Sequence, residues 1–198
     1  MPVDRYVPLD RRFTELGDEK QMEDAAVRSL LDRMDGRPSG ISWEDIYADG
    51  RSCVVLGEAG SGKSEEMKHQ RDALQSKQRP AAYVDLVTML QRGSPELTSE
   101  ASRLLDRWRR GSGVAWLFLD SVDESKLAQP KDFERALRSV RAWLGSEAGR
   151  ARFVLSSRVS EWRPIADLSL AREHLVPTAD TSAEIDATRG ASLLQGWS

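Results

Sequence analysis

Cysteine and histidine are nearly absent from this sequence. Among its 198 residues there is one cysteine, Cys53, and there are two histidines, His69 and His174. A single cysteine excludes an internal disulfide, and two histidines far apart with no cysteine beside them do not make a zinc site. The serine, histidine and aspartate arrangement of a hydrolase is not evident either. The chemistry of this chain therefore has to come from other residue types.

The sequence also lacks long apolar runs and a large excess of charge of one sign. It carries 29 basic and 32 acidic residues, for a net charge of −3. No run approaches the length of a membrane span, and the first residues do not form a signal peptide. The slightly acidic balance gives no general attraction to nucleic acid or to anionic membranes. We therefore expect a cytoplasmic protein that has no membrane partner and does not bind nucleic acid through this domain.

A glycine-rich stretch stands out against this background. Residues 57–64 read Gly-Glu-Ala-Gly-Ser-Gly-Lys-Ser, between an apolar strand predicted at 51–56 and a helix predicted at 63–77. In such a loop, glycines let successive backbone N–H groups surround a phosphate, Lys63 reaches the β- and γ-phosphates, and the Ser64 hydroxyl ligates Mg²⁺. A plain glycine-rich turn is the alternative, but the flanking strand and helix favour phosphate binding. The predicted nucleotide-binding residues are Gly57, Glu58, Ala59, Gly60, Ser61, Gly62, Lys63, Ser64 and Glu65.

An acidic turn follows a second apolar run. Residues 114–119 are continuously apolar, as in a strand that is covered on both faces, and Asp120, Asp123 and Glu124 come next. A carboxylate at the end of a neighbouring strand suits a phosphate-bound Mg²⁺, so Asp120 is predicted to ligate the metal together with Ser64. Glu124 is predicted to be the general base for the attacking water, with Asp123 sharing metal or water contacts. The alternative is an acidic turn that only caps a strand.

A third stretch ends in an arginine. The strand predicted at 152–156 runs into Ser157 and then Arg158. Because ligands of doubly wound sheets bind at the carboxyl ends of the strands, Arg158 is placed to contact a γ-phosphate and to stabilise its charge during transfer. An ordinary surface ion pair is the alternative for an arginine in this position.

Strands alternate with helices along the chain, which predicts an α/β fold with a mainly parallel sheet and helices on both faces. The predicted strands lie at 51–56, 81–86, 114–120, 152–156 and 174–176. Further helices are predicted at 18–35 and 43–47, from Ser94, and from Pro130. The expected layout is a leader at 1–50 (an extended arm and a helix) packed on the core, a P-loop domain at 51–176, and a tail at 177–198.

Three stretches together resemble a known class. GEAGSGKS, LFLDSVDES and FVLSSRVSEW are similar to the Walker A, Walker B and sensor-1 motifs of the STAND class of P-loop NTPases, in particular its NACHT-like bacterial members. The resemblance covers about residues 50–165. It implies a three-layer P-loop NTPase sandwich with a five-stranded sheet in the order 5-1-4-3-2. It also implies ATP-controlled switching and self-association, and many bacterial relatives act in anti-phage defence.

The resemblance also implies roles for single residues. The implied contacts are Lys63 and Ser64 on phosphate and Mg²⁺, Asp120 on the metal, Glu124 on the water, and Arg158 on the γ-phosphate. Family members typically have glycine where this chain has Ser121. They also continue into helical, winged-helix and ligand-sensing regions. We therefore expect this chain to be part of a longer protein, in which the tail begins a further region and other domains or copies are partners.

The motifs lead to one main functional prediction, which is Mg²⁺-dependent binding and slow hydrolysis of ATP to ADP. The chain would act as a nucleotide switch module of a larger signalling or anti-phage defence protein. The first alternative is a nucleotide-binding or oligomerisation module that does not hydrolyse ATP. A DNA-linked AAA+-type ATPase is the second, and a small-molecule kinase is the third. The absence of an N-K-x-D motif favours ATP over GTP without deciding between them.

Overall fold

Six strands form one sheet in the computed structural model, which describes residues 12–16, 40–122, 131–175 and 191–195. The strands are β1 (Thr14–Leu16), β2 (Ser52–Leu56), β3 (Ala81–Asp85), β4 (Ala115–Asp120), β5 (Ala151–Ser157) and β6 (Ala191–Gln195). Their order across the sheet is β1-β6-β2-β5-β4-β3. All neighbouring strands are parallel except the antiparallel pair of β1 and β6. The fold is therefore α/β with a mainly parallel sheet, as predicted.

Four of the five predicted strands are present, and the fifth is wrong. The strands β2, β5, β4 and β3 stand in the predicted order 1-4-3-2. The fifth was expected at 174–176, but residues 174 and 175 end a helix instead. The place beside β2 is taken by β6, and β1 extends the same edge. The strands β6 and β1 fall in the stretches predicted as the tail and the leader, whose boundaries stay predictions.

The helix that replaces the predicted fifth strand has a clear start signal. Pro164 stands at its first position, where a missing N–H is harmless. The carboxylate of Asp167 is fully buried and accepts a hydrogen bond from the Arg163 N–H at 2.7 Å. Asp167, Ala171 and Leu175 are buried at a spacing of four residues, which is helical periodicity. His174 and Leu175 are therefore the last turn of a helix.

Six α-helices are described in these ranges. They are α1 (Trp43–Asp49), α2 (Lys63–Ser76), α3 (Leu86–Arg92), α4 (Ser99–Arg110), α5 (Asp132–Leu144) and α6 (Pro164–Leu175), with short 3-10 turns at Gly145–Arg150 and Val159–Glu161. The helix predicted at 18–35 and the residue Pro130 lie outside the described residues. Within the described ranges, no helix combines the length and the apolar character needed to cross a membrane.

Helix ends follow local side-chain chemistry. Ser42 caps α1 through a reciprocal capping box with Asp45, and Gly50 ends it at a φ of 69°. The helix α3 was not predicted; it begins because the Asp85 carboxylate accepts the Thr88 N–H at 2.6 Å. The helix predicted to start at Ser94 starts later, at the Thr98 cap of α4.

The sheet is covered on both faces. Successive residues of a strand point to opposite faces, so Cys53 and Val55 lie on one face and Val54 and Leu56 on the other. The first face packs on Phe13, α1 and α2, and the second on α3 to α6. Burial raises the pKa of the Cys53 thiol to about 12. Three layers result, consistent with the P-loop fold.

Candidate functional site

The loop between β2 and α2 is the first part of the site. The Gly57 N–H donates to the Ser157 carbonyl at 3.2 Å, which ties the start of the loop to the end of β5. Gly60 and Gly62 have φ values of 74° and 81°, in the left-handed region that favours glycine. Gly62 directly precedes α2, so the loop leads into a helix N-terminus, where backbone N–H groups and the helix dipole favour an anion.

The Lys63 ammonium group lies against its own loop. It donates hydrogen bonds to the Gly57 and Glu58 carbonyl oxygens, both at 2.8 Å, and lies 3.4 Å from the Ser61 hydroxyl oxygen. The cation is therefore held against the loop by neutral acceptors, and a phosphate would offer it a charged one. Glu65, the last residue in the predicted binding set, is exposed and pairs with the Lys68 ammonium at 2.7 Å.

Two side-chain hydrogen bonds hold the carboxylate at the end of β4. The Tyr83 hydroxyl donates to one carboxylate oxygen of Asp120 at 2.6 Å, and the Ser156 hydroxyl donates to the other. The Ser64 side chain neighbours the Tyr83 hydroxyl and acts to lower the pKa of Tyr83, against the larger effects that raise it. Asp120 is 3% exposed and Ser156 is 1% exposed, so the carboxylate is buried between two hydroxyl donors. The two predicted metal ligands, Ser64 and Asp120, thus both neighbour the Tyr83 hydroxyl.

The strand register explains why Tyr83, Asp120 and Ser156 lie close together. Asp85 on β3 stands beside Asp120 on β4, and Val55 on β2 stands beside Ser156 on β5. Asp120 alternates with Phe118 and therefore points to the face that α2 covers. Tyr83 and Ser156 share that face by the same alternation. Parallel strands bring all of these positions to one carboxyl edge of the sheet, directly beneath the loop.

Tyr83 is protonated in this environment. Burial and the neighbouring Asp120 carboxylate raise the pKa of Tyr83 well above its ordinary value. The phenol is therefore a hydroxyl donor at neutral pH rather than a second negative charge. Its place in the site was not predicted, since Tyr83 reads as an ordinary strand residue. Ser156 was likewise noted only as a strand residue.

Arg158 lies at the same edge as the loop. It follows directly after Ser157, the residue whose carbonyl accepts the Gly57 N–H. The Arg158 carbonyl accepts the N–H groups of Glu161 and Trp162 at 3.2 and 3.1 Å, which holds the short turn after β5. This places the arginine backbone beside the loop, and its contact with a γ-phosphate stays a prediction.

The turn after Asp120 is described only in part. Ser121 has a φ of 66°, a left-handed conformation that glycine adopts at lower energy, and Val122 is buried. Asp123 and Glu124, the predicted metal-or-water contact and general base, lie outside the described residues. Their roles stay predictions.

The oxygen atoms at this edge suit Mg²⁺. Hydroxyl and carboxylate oxygens are the ligands that this hard cation takes, and it is usually held by one or two protein ligands together with substrate phosphates. In the part of the chain that the structure describes, no group of three or more His, Cys, Asp and Glu side chains could hold a metal ion by itself. Ser64 and Asp120 therefore fit an ion that arrives with a phosphate.

Comparisons with known proteins add little to this picture. No family model and no curated protein matches the chain. Among solved structures, it is similar to the Aeropyrum pernix ORC1 protein in complex with DNA, at 13% sequence identity and a TM-score of 0.35. That match covers 82% of this chain and 44% of the other. A likeness this slight carries no argument. The chain's own features are an α/β fold, a parallel sheet and a P-loop sequence between β2 and α2.

Proposed function

We propose that this chain binds a nucleoside triphosphate, ATP by preference, together with Mg²⁺, and hydrolyses it slowly. The observation that carries the proposal is the hydrogen bond from the Tyr83 hydroxyl to Asp120, with the Ser64 side chain beside the same hydroxyl. Two separate motifs assign Ser64 and Asp120 to one metal ion, and both residues neighbour the Tyr83 hydroxyl at the carboxyl edge of the sheet.

Each part of the site has a role in the proposal. The backbone N–H groups of the loop and the start of α2 bind the phosphates, and Lys63 turns from the loop carbonyls to the β- and γ-phosphates. Bound Mg²⁺ neutralises the developing charge on the phosphate oxygens. Arg158 contacts the γ-phosphate from the end of β5, and Glu124 accepts the proton of the attacking water. Asp123 assists at the metal or at the water.

Binding of a fluorescent ATP analogue tests the proposal, with and without Mg²⁺. We expect Lys63→Ala to weaken binding by at least about tenfold, because it removes a charge-assisted contact to phosphate. Lys77→Ala is the matched control: it removes an exposed lysine just past the other end of α2 and should bind as the wild type does. Equal binding by Lys63→Ala and the wild type would contradict the proposal.

Phosphate release separates slow hydrolysis from binding alone. The wild type should release phosphate in single-turnover experiments, and Glu124→Gln should slow that release without weakening ATP binding. Binding with no release would favour the alternative, a nucleotide-binding module that does not hydrolyse.

The wider role is a nucleotide switch module of a larger signalling or anti-phage defence protein of the NACHT-like type. Only the resemblance of the three motifs supports this part of the proposal. Mass photometry with ATP, with ADP and without nucleotide tests it, since a switch of this kind should self-associate in one nucleotide state. The same mass distribution in all three conditions would contradict it.

A further inference from the structure

A tyrosine hydroxyl is bonded to one of the two residues proposed to hold the metal. The Tyr83 hydroxyl oxygen is 2.6 Å from a carboxylate oxygen of Asp120. Mg²⁺ binds oxygen at about 2.0–2.1 Å, so adjacent ligands of one ion stand about 3 Å apart with the ion between them. The space that the ion, or a water molecule of its shell, has to enter is therefore next to or at the Tyr83 oxygen.

We infer that the Tyr83 hydroxyl holds the metal position of the nucleotide-free site and is displaced from Asp120 when Mg²⁺ enters with nucleotide. The inference rests on the proposed function, and it adds a competitor to the proposed metal site. In the free protein, the tyrosine satisfies the buried Asp120 carboxylate, which would otherwise lack one of its donors. The ion has to replace these hydrogen bonds, which lowers the apparent affinity of the site for Mg²⁺.

The surroundings of Tyr83 permit this exchange. Its side chain is half-buried rather than enclosed, and the Lys68 ammonium lies 5.4 Å from the centre of its ring. Asp120 does not lose its orientation when the tyrosine leaves, since the Ser156 hydroxyl holds the other carboxylate oxygen. The two hydroxyl groups that donate to Asp120 thus have different roles. Ser156 keeps the carboxylate in place, and Tyr83 fills the space beside it.

The experiment is a Mg²⁺ titration at saturating fluorescent ATP analogue in the wild type and in Tyr83→Phe. Removing the hydroxyl removes the competitor and leaves the metal-free form short of a hydrogen bond to a buried carboxylate. Both effects favour binding of Mg²⁺ over the metal-free form. The half-saturating Mg²⁺ concentration should fall by about fivefold or more in Tyr83→Phe, as expected for a net hydrogen bond.

Tyr47→Phe is the matched control. The Tyr47 hydroxyl donates to the Gln70 side-chain oxygen at 2.9 Å, on the same face of the sheet but away from Asp120. This variant loses a tyrosine hydroxyl with a hydrogen bond of similar kind, and its half-saturating Mg²⁺ concentration should equal that of the wild type. An equal fall in both variants would overturn the inference, because the effect would then be one of general stability.

The outcomes separate this inference from the proposed function. If the wild type binds no nucleotide with or without Mg²⁺, the proposed function is wrong. If it binds nucleotide and Tyr83→Phe shows an unchanged or higher half-saturating Mg²⁺ concentration, the competing role of Tyr83 is wrong. Should Tyr83→Phe not fold, wild-type protein with isotope-labelled tyrosine rings gives the answer. The Tyr83 ring signal should shift when Mg²⁺ is added to the nucleotide-loaded protein, and an unshifted signal would overturn the inference.

Discussion

The indole N–H of Trp43 donates a hydrogen bond to the buried carboxylate of Glu66 at 2.7 Å. Trp43 begins α1, and Glu66 lies in the first turn of α2, two residues after Ser64. Gln70 donates to the same carboxylate oxygen at 2.9 Å, and the ring of Phe13 packs edge-on against Trp43. The helix α1, which precedes β2, is therefore hydrogen-bonded to α2, the helix that follows the P-loop.

Removing this link should destabilise the protein. Trp43→Phe keeps an aromatic ring and removes a donor from a buried carboxylate, so the free energy of unfolding should fall by about 1.5–3 kcal/mol in urea titrations. Trp143→Phe, at a half-buried tryptophan on the opposite face, is the control and should have a smaller effect. Equal stabilities of Trp43→Phe and the wild type would show that the Trp43 hydrogen bond contributes little.

Ser121 offers a stabilising substitution. Its φ is 66°, a backbone conformation that costs residues other than glycine roughly 1–2 kcal/mol. Glycine avoids this cost, but part of the gain is lost because glycine gives the unfolded chain more conformational freedom. Ser121→Gly should therefore raise the free energy of unfolding by about 0.5–1 kcal/mol. Ser121→Ala keeps the strain and should bring no gain. A stabilised alanine variant, or a destabilised glycine variant, would contradict this explanation.

The Cys53 thiol should report on opening of the sheet. It is 3% exposed, and its pKa is raised to about 12, so less thiolate is present at pH 8 than for an exposed cysteine. Labelling of the folded protein with a thiol reagent should be far slower than labelling in urea. Nucleotide with Mg²⁺ should slow it further in the wild type, because a ligand that binds the folded state lowers the unfolded population, and should not do so in Lys63→Ala. Fast labelling of the folded protein would contradict the buried position of Cys53.

The parts of the fold that could be predicted depend on local patterns. The apolar runs of β2 and β4 and the glycines before Lys63 each form a signal within a few neighbouring residues. Two segments needed more than such a local pattern. Leu86 and the residues after it continue an apolar strand in sequence, and only the cap by Asp85 makes them α3. The segment 174–176 reads as a short strand when it is separated from the helix signals at Pro164 and Asp167.

Pairings between distant residues could not be predicted. Nothing near Ala191–Gln195 indicates that it pairs with β2, since the partner lies far away in the chain. The same holds for Tyr83. Its strand could be predicted, but its bond to Asp120 depends on the side-by-side register of β3 and β4. The motifs thus predicted residues for phosphate and metal, and only the sheet register revealed the tyrosine hydroxyl bonded to Asp120.

A structure with a non-hydrolysable ATP analogue and Mg²⁺ tests the central claim most directly. It should show the β- and γ-phosphates within the loop at 57–64, the Lys63 ammonium on them, and the ion between Ser64 and Asp120. A nucleotide bound elsewhere would contradict the account. An ion that contacts neither Ser64 nor Asp120, directly or through water, would contradict it as well.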